Sequence, residues 1–347
     1  MDKLIVGSMH QSAGKTSLIV GLAGALNKKI GYLKPFGDRM LYRKKRLWDY
    51  DAMLVTSVFG LEEIPDDISI GFDHSKLLFM YNQQTIHEKL NSMLSDIGLN
   101  REVIFIEGGK DIRFGISVSL DPISMAAFTK GRLIIVAGGD ENTILDDLVF
   151  LRKRIDLAEV DFAGVIINKI PNLQEFKDHY LAGIETTGLN ILGMIPFEKK
   201  LIEFSVGYLS ERLFAKIVTG EDQLEKVVKS TFIGAMQVSA ALENPLFSEV
   251  GKAVITSGDR TDIILAALEG DTACVVLTDN LAPSPKIISI AKERKIPLLM
   301  VPTDLFQIAK QIDKLEPLTT KQDQGKVALL EKLIRENVNL KAIFKDE

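Results

Sequence analysis

The feature that most constrains this chain is its first segment, where an apolar run leads through a loop of small residues into a helical pattern. Leu4–Val6 is typical of a buried strand, and Gly14–Ser17 (Gly-Lys-Thr-Ser) opens the helical pattern that follows. A loop between a strand and a helix presents backbone N–H groups and the positive end of the helix dipole to phosphate oxygens. In such a loop Lys15 would reach the β- and γ-phosphates of a nucleotide, and the Thr16 hydroxyl would bind Mg²⁺. The segment therefore predicts a nucleotide site formed by these four loop residues.

Composition and charge exclude several classes of protein. The chain has 347 residues and a net charge of −5, a balance that does not favour binding to nucleic acid or to an anionic membrane surface. Cys274 is the single cysteine, so an internal disulfide is excluded. It lies in an apolar run, which indicates a buried side chain. The four histidines show no metal-ligand spacing, so a zinc site is not expected. No signal peptide and no apolar run of membrane-spanning length are found, so we expect a cytoplasmic protein with no membrane partner.

Short apolar runs alternate with amphipathic segments along the whole chain, a pattern typical of a parallel sheet covered by helices. In the first half, runs that are nearly continuous in apolar residues, as in strands buried on both faces, lie at 4–6, 30–33, 103–106, 133–136, 164–167 and 191–195. Residues 84–97 and 146–155 show helical periodicity. The predicted fold class is α/β, with a parallel sheet of the P-loop NTPase type flanked by helices.

A second alternating unit follows residues 201–228, a stretch in which we find no continuous strand pattern. Its strands are expected at 253–256, 273–277 and 298–301, and its helices at 263–268 and 286–294. We therefore divide the chain into a nucleotide-binding domain of residues 1–200 and a smaller α/β domain of residues 201–347. The charged amphipathic segment 326–343 is expected to form a helix that packs on the second domain.

Three side chains of the first domain are candidates for its chemistry. Glu107 closes the buried run 103–106, and the carboxyl ends of parallel strands face the crevice in which open α/β sheets bind ligands. Asp51 is a second candidate ligand for Mg²⁺, which prefers hard oxygen donors, although Asp49 competes for the same role. Lys34 follows another strand and could hold a substrate carboxylate or a transferred phosphoryl group. Simpler alternatives are a solvated strand end for Glu107, a helix-start acid for Asp51 and a surface lysine for Lys34.

In the second unit, Gly258-Asp259-Arg260-Thr261-Asp262 lies between a predicted strand and a predicted helix, at an edge where crevices form. Asp259 could cap the following helix, and Arg260 offers a planar fork for a carboxylate or a phosphate. The segment predicts a regulatory site for a small anionic metabolite or a protein partner. The alternative is a helix cap with an internal Asp–Arg pair that only stabilises the turn.

The order of short motifs along the chain resembles that of the dethiobiotin synthetase family, whose relatives include the cobyrinic acid amidases and the P-loop domain at the N-terminus of long phosphotransacetylases. The motifs are, in order, Gly14-Lys15-Thr16, Lys34-Pro35, Asp51-Ala52, Glu107-Gly108, Gly164–Asn168 and Leu192–Pro196. In the second half, Val254–Asp262 is similar to the DRTGG domain, which follows the P-loop domain in those phosphotransacetylases. Together the two resemblances cover nearly the whole chain.

The resemblance implies ATP and Mg²⁺ as cofactors and gives each matching residue a role. Lys15 and Thr16 would hold the phosphates and the metal, and Asp51 and Glu107 would complete the ligands of the metal. Asn168 would read the edge of the adenine base. Family analogy also implies a homodimer.

Two departures from the family pattern bear on activity. Met9 stands where the phosphate loop normally has a glycine, and the loop also lacks the extra lysine of the partition-ATPase variant. Gly37-Asp38 replaces the serine that follows the Lys-Pro segment in the synthetase. The catalytic domain of the phosphotransacetylases would follow the second domain, and this sequence ends at Glu347, so acetyl transfer to coenzyme A is not expected from this polypeptide alone.

Three functions follow as hypotheses. The first is an ATP- and Mg²⁺-binding module whose DRTGG-like domain regulates or docks. The second is an ATP-dependent carboxylate-activating ligase in which Lys34, catalytic together with Lys15, orients a carboxylate or carbamate as it attacks the γ-phosphate. The third is a partner-binding scaffold whose nucleotide site is blocked by Met9.

Overall fold

A computed structural model of the chain describes residues 1–43, 46–313, 315 and 323–344. The described residues form two compact units, one of residues 1–198 with 323–344, and one of the residues between 199 and 315. In the described part of the chain, no helix has both the length and the apolar character that crossing a membrane requires.

The core of the first unit is a six-stranded sheet in which all neighbouring strands run parallel. The strands of this unit are β1 (Asp2–Ser8), β2 (Ile30–Leu33), β3 (Met40–Arg43), β4 (Arg46–Asp49), β5 (Val103–Glu107), β6 (Arg132–Ala137), β7 (Phe162–Ile170) and β8 (Ile191–Pro196). The order across the sheet is β2-β5-β1-β6-β7-β8, and β3 pairs with β4 in a separate antiparallel hairpin. All six runs expected as strands lie within this sheet, and the predicted α/β class is confirmed.

Helices connect these strands and bury the apolar faces of the sheet. They are α1 (Lys15–Leu26), α2 (Tyr50–Phe59), α3 (His74–Met80), α4 (Gln83–Ile97), α5 (Pro122–Thr129), α6 (Glu141–Arg154) and α7 (Leu173–Thr186). Helices α2 to α7 each begin after an Asp or Asn whose side chain accepts a hydrogen bond from the backbone of the first turn. Such caps satisfy N–H groups that have no partner inside the helix.

The second unit has its own sheet and its own helices. Its elements are α8 (Lys199–Ile202), β9 (Phe204–Ser205), α9 (Val206–Arg212), β10 (Lys216–Thr219), β11 (Val227–Val228), β12 (Ser230–Ile233), α10 (Val238–Glu243), β13 (Lys252–Ser257), α11 (Thr261–Glu269), β14 (Thr272–Thr278), α12 (Pro285–Glu293), β15 (Leu298–Met300) and α13 (Leu305–Asp313). The sheet has the order β10-β15-β14-β13-β12, in which only β10 pairs antiparallel. Strands β9 and β11 form a small antiparallel pair.

Alternate residues of the second sheet enter two separate cores, as the period of a strand requires. Val254 and Val275 pack with α10, α11 and α12 on one face. Ala253 and Cys274 pack with α9 and α13 on the other face, so the single cysteine is buried as expected. Burial on both faces explains why these strands are almost entirely apolar.

Strand β10 lies in the stretch 201–228, for which no continuous strand was expected. That expectation is corrected, because the stretch also contains β9 and β11. Strand β10 is one of the two edge strands of its sheet and pairs on one side only, with β15. A half-buried edge strand needs no continuous apolar run, and for this reason its signal was missed.

The chain returns to the first unit at its C-terminal end, in α14 (Gln324–Asn337) and α15 (Leu340–Ile343). Helix α14 packs on α1, where a Cβ atom on Gly21 would come within 2.6 Å of the Ile334 side chain. Beyond α14, Val338 forms an antiparallel bridge with Gly193 of β8. The expectation that this helix packs on the second domain, as part of residues 201–347, is therefore corrected.

The physical reason is the composition of α1. Its residues Lys15–Leu26 are almost entirely apolar after the first turn, and a helix that is apolar on all sides must be buried on all sides. The sheet covers only one side of α1. Leu330, Leu333 and Ile334 of α14 are buried and cover another side.

Candidate functional site

The loop between β1 and α1 lies at the carboxyl edge of the first sheet, where a phosphate site was predicted. Ser12 and Gly14 have left-handed backbone conformations, with φ of 61° and 99°. A Cβ atom on Gly14 would lie 2.3 Å from Nδ2 of Asn168, so conformation and packing both require glycine at this position. In contrast to α2–α7, helix α1 begins after Gly14 without a side-chain cap. Its first turn can therefore donate backbone hydrogen bonds to a bound anion.

Met9 stands where the loop usually has a glycine, yet it adopts a backbone conformation that suits a side chain. The left-handed residues of the loop are Ser12 and Gly14, not Met9. The Met9 side chain is buried, and its backbone N–H donates to the carbonyl oxygen of Val136 at 3.0 Å. Met9 therefore continues the pairing of β1 with β6 and does not force a strained loop.

Lys15 is 7% exposed, and its ammonium group is held against the neighbouring loop after β5. Its Nζ donates to Oγ of Ser8 at 2.9 Å and to the carbonyl oxygen of Lys110 at 3.2 Å. Burial lowers the pKa of Lys15, against the opposing effect of the Glu107 carboxylate. Ser17 is half-buried on the same first turn of α1. These positions place a buried ammonium group, partly compensated by the Glu107 carboxylate, at the mouth of the loop.

Glu107 ends β5 directly beside the first turn of α1 and is 1% exposed, so it is not a solvated strand end. The Thr16 hydroxyl donates to its Oε1 at 2.8 Å, and the Tyr32 hydroxyl donates to its Oε2 at 2.8 Å. Burial raises the pKa of Glu107 to about 7, although Lys34 lowers it. A carboxylate and a hydroxyl in contact offer two hard oxygen ligands of the kind that Mg²⁺ prefers.

Lys34 is 1% exposed and is surrounded by carboxylates. Its Nζ lies 2.6 Å from Oδ1 of Asp38, 3.4 Å from Oδ1 of Asp49 and 3.7 Å from Oε1 of Glu107, and it donates a hydrogen bond to Oδ2 of Asp51. Burial alone would lower the pKa of Lys34, but the carboxylates, Asp51 foremost, raise it well above its usual value. Lys34 is therefore a buried ammonium ion, not a surface lysine.

The two neighbouring aspartates, Asp49 and Asp51, have different roles. Asp49 caps α2 by accepting from the backbone N–H groups of Asp51 and Ala52, and it also accepts from the N–H groups of Asp38 and Arg39. Asp51 instead uses its side chain on Lys34 and on Arg39, at 3.3 Å from the Arg39 guanidinium.

One carboxylate oxygen from each of Asp38, Asp49 and Asp51 lies within 4.8 Å of the other two, a spacing that could suit a cation. Lys34 already supplies that cation. A carboxylate that interacts weakly with the Lys34 ammonium is the better candidate for a metal ligand. Of the four carboxylates around Lys34, that of Glu107 is the farthest, at 3.7 Å from Nζ. Of the two predicted metal ligands, the geometry therefore favours Glu107 over Asp51.

Asn168, expected at the adenine base, contacts the phosphate loop. Its Nδ2 donates to the carbonyl oxygen of Ala13 at 2.9 Å, and its Oδ1 accepts from the backbone N–H of Lys169 at 3.0 Å. The ammonium of Lys169 donates to the carbonyl oxygen of Ser12 at 2.7 Å. The end of β7 therefore holds the phosphate loop by two side-chain hydrogen bonds to its backbone.

Sequence reasoning missed several residues of this site, and their signals differ in strength. Asp38 was noted only as a departure from a family pattern, although it stands four residues after Lys34 and pairs with it. Tyr32 lies within the predicted strand 30–33 and Ser8 lies two residues after the predicted strand 4–6, where polar side chains could have been flagged. Asp147 of α6 was also missed; its Oδ1 lies 3.0 Å from Nε2 of His10 in the loop, and burial raises the pKa of Asp147.

In the second unit, the Arg260 fork is engaged within the chain. Its Nε and one terminal nitrogen each donate to Asp262 at 3.1 Å, and the terminal nitrogen also donates to the Met236 carbonyl oxygen at 2.8 Å. The hydrogen bond from Arg260 lowers the pKa of Asp262. The expectation that Asp259 caps α11 is corrected, because the residue preceding the helix is Arg260 and no side-chain cap is present. Gly258 packs so tightly that a Cβ atom would lie 1.8 Å from the Leu281 carbonyl oxygen.

Two family models match the chain. The model described as an AAA domain matches residues 2–205, and the model described as a DRTGG domain matches residues 208–315. These matches confirm the resemblance drawn from the short motifs, and together they establish a P-loop-type domain followed by a DRTGG domain.

The curated relatives include phosphate acetyltransferases. That of Synechocystis sp. is 24% identical over 94% of this chain and 49% of the relative, and that of Nitratidesulfovibrio vulgaris is 22% identical over 96% of this chain and 50% of the relative. The chain thus spans about half the length of the curated relatives it matches.

Solved structures with partial likeness include the CBS and DRTGG domains of the regulatory region of Clostridium perfringens pyrophosphatase, complexed with diadenosine tetraphosphate. It is 18% identical, with a TM-score of 0.30, over 45% of this chain and 74% of that one. The MinC:MinD complex of Aquifex aeolicus is 18% identical, with a TM-score of 0.34, over 58% of this chain and 84% of that one.

Proposed function

The chain belongs to the AAA domain family through residues 2–205, and from that premise we propose that it is a nucleotide-responsive regulatory module that binds ATP and Mg²⁺ in its first unit. The DRTGG domain of the second unit would regulate or dock, with a small anionic metabolite or a protein as its partner. We further propose a cytoplasmic homodimer.

The residues of the first unit fit ATP with Mg²⁺. Gly14, Lys15 and Ser17 would hold the phosphates with the uncapped first turn of α1, and Thr16 with Glu107 would hold the metal. Mg²⁺, when bound, supplies positive charge to the phosphate oxygens. The side-chain amide of Asn168 donates one N–H to the phosphate loop, and its second N–H would contribute to adenine binding.

The environment of Lys34 supports the module over the carboxylate-activating ligase. A ligase needs Lys34 to face a substrate carboxylate, since its part in catalysis is to position and neutralise that group. Here four carboxylates of the chain itself already surround an ammonium that is 1% exposed. Lys34 therefore acts as a structural counter-ion, and this observation favours the regulatory module.

Calorimetric titration of the full chain with ATP, with and without Mg²⁺, tests nucleotide binding. The same protein is then assayed for phosphate release from ATP across a panel of carboxylate metabolites. The module predicts ATP binding that Mg²⁺ strengthens and no release that depends on a carboxylate. Carboxylate-dependent release would establish the ligase instead, and absence of ATP binding would leave the partner-binding scaffold.

Binding of ATP at limiting Mg²⁺ should strengthen as the pH rises through about 7, because Glu107 must lose its proton before it can bind the metal. Below that pH the carboxyl is protonated and neutral, and above it the carboxylate is available. In Glu107→Gln we expect about tenfold weaker binding at pH 8, since a charge-assisted contact is lost. ATP titrates too, so the variant serves as the control for the pH dependence of the nucleotide itself. An identical pH profile and Mg²⁺ titration in both proteins would remove Glu107 from the metal site.

Arg260→Lys tests the regulatory role of the second unit, because lysine keeps the charge and loses the bidentate fork. The Arg260 side chain is 30% exposed and that of Asp262 45%, so this surface pair contributes at most about 1 kcal/mol to stability. We expect the variant to keep its melting temperature and to bind pyrophosphate about tenfold more weakly, with Arg294→Lys as control. Unchanged pyrophosphate binding together with a clear drop in melting temperature would show that the loop is structural.

A further inference from the structure

Lys169 reaches the phosphate loop from a strand two places away in the sheet. It lies near the end of β7, and β6 separates β7 from β1. Its ammonium nevertheless donates to the Ser12 carbonyl oxygen at 2.7 Å, one residue from the contact that Asn168 makes with Ala13. Two consecutive residues of β7 thus hold two consecutive residues of the loop.

The backbone of β7 is bent to allow this. Lys169 has a left-handed conformation with φ of 64°, which is uncommon for a residue with a side chain. The pairing of β7 with β8 is interrupted between Ile167 and Ile170, on either side of the bend. The Asn168 side chain accepts from the Lys169 N–H at 3.0 Å and so braces the bend. The Lys169 side chain is therefore directed by its own backbone toward the loop.

Charge gives this arrangement a use. The phosphates of a nucleoside triphosphate carry several negative charges, and the loop from Gly7 to Thr16 contains only one lysine, Lys15. The positive charge of Lys15 is itself partly compensated by the negative charge of the Glu107 carboxylate. A site with one partly compensated lysine gains from a second cation beside the loop.

We propose that Lys169 is a second phosphate-binding cation of this site, which supplies from β7 the charge that the loop lacks in its own sequence. The ligand class is a nucleotide with two or three phosphates, and the assignment rests on the proposed nucleotide function. Because Lys169 is exposed, its ammonium can leave the Ser12 carbonyl for a phosphate oxygen without opening the core. The competing role is that of a tether, in which Lys169 only stabilises the loop.

Calorimetric titrations of the full chain with ATP, ADP, AMP and adenosine separate the two roles. For Lys169→Met we expect ATP binding to weaken about tenfold or more, as for a lost charge-assisted hydrogen bond, and adenosine binding to stay within about twofold of wild type. Lys169→Arg, which keeps the charge, should retain most of the ATP affinity. Lys177→Met removes the same charge from helix α7 and is the matched control.

The outcomes distinguish this assignment from the function on which it rests. A loss that grows from adenosine to ATP in Lys169→Met, with rescue by arginine, supports the phosphate contact. Equal losses for all four ligands together with a lowered melting temperature would show a tether and overturn the assignment, as would ATP binding equal to wild type. If wild type binds none of the nucleotides, the proposed function fails and this assignment fails with it.

Discussion

Lys34→Met is expected to lower the free energy of unfolding of the first unit by about 3 to 5 kcal/mol at pH 7, the range found when one partner of a buried ion pair is removed. Asp38, Asp49, Asp51 and Glu107 would then lie around an apolar side chain without the ammonium that compensates them. The pKa of Lys34 is raised, so its stabilising charge is fully present at pH 7 in the wild type. Urea unfolding followed by fluorescence measures the effect, because the single tryptophan, Trp48, lies in β4 of this unit.

The deficit should shrink as the pH falls from about 8 to about 5, because acid protonates the carboxylates that have lost their counter-ion. A second variant, Lys34→Met with Asp51→Asn, removes one of the uncompensated charges and should recover part of the lost stability. The two single changes and the double change form a thermodynamic cycle that measures the coupling of Lys34 to Asp51. A stability equal to wild type, or a deficit that does not depend on pH, would contradict a structural role for Lys34 and reopen the ligase.

Lys15→Ala is expected to weaken ATP binding about a hundredfold or more while leaving the fold intact. The expected loss combines the charge of the ammonium with its hydrogen bonds to phosphate. Burial lowers the pKa of Lys15, so the charged form of its side chain is less favourable in the folded protein than in the unfolded chain. The melting temperature of the variant without nucleotide should therefore not fall, and calorimetry with ATP and Mg²⁺ measures the affinity.

Lys89→Ala, on the exposed side of α4, is the control for loss of a lysine elsewhere in the same unit. Equal affinity for ATP in the wild type and in Lys15→Ala would show that this loop does not bind the nucleotide. A large drop in melting temperature without nucleotide would instead assign Lys15 a structural role through Ser8 and Lys110.

The sheet of the first unit could be predicted from the sequence because its strands are buried on both faces. Burial of that kind leaves continuous apolar runs, and Glu107 at the end of one of them marks the carboxyl edge of the sheet. The Gly14-Lys15-Thr16 segment could be predicted for a different reason, because its strand, loop and helix are contiguous in the sequence. Local patterns thus placed the loop and Glu107 of the candidate site at one edge of one sheet.

The partners of Lys34 could not be predicted, because they are brought together by the fold. Asp38 precedes the β3–β4 hairpin and Asp49 ends it, so the two meet only when the hairpin has formed. The sequence shows a lysine after a strand, which is more often on the surface. The grip of Asn168 on the loop is likewise a contact between residues 155 positions apart.

The C-terminal helix was misplaced for a related reason. Amphipathic periodicity shows that α14 has an apolar face, but it does not show which surface that face meets. A usable signal was present in α1, because a helix that is apolar on all sides needs a second element packed against it. Gly21 and Gly24 of α1 have no side chains, so α14 can approach closely.

The position of α14 also bears on how this protein forms during synthesis. A ribosome releases residues 1–198 before α14, and the helix that covers α1 is not made until more than a hundred further residues have followed. The second unit is one continuous segment of the chain, so it can fold as it emerges from the ribosome. Until α14 is made, one side of α1 in the first unit remains exposed to solvent. An expressed fragment that stops near residue 200 would keep that side exposed and should aggregate, even though it contains every residue of the phosphate loop.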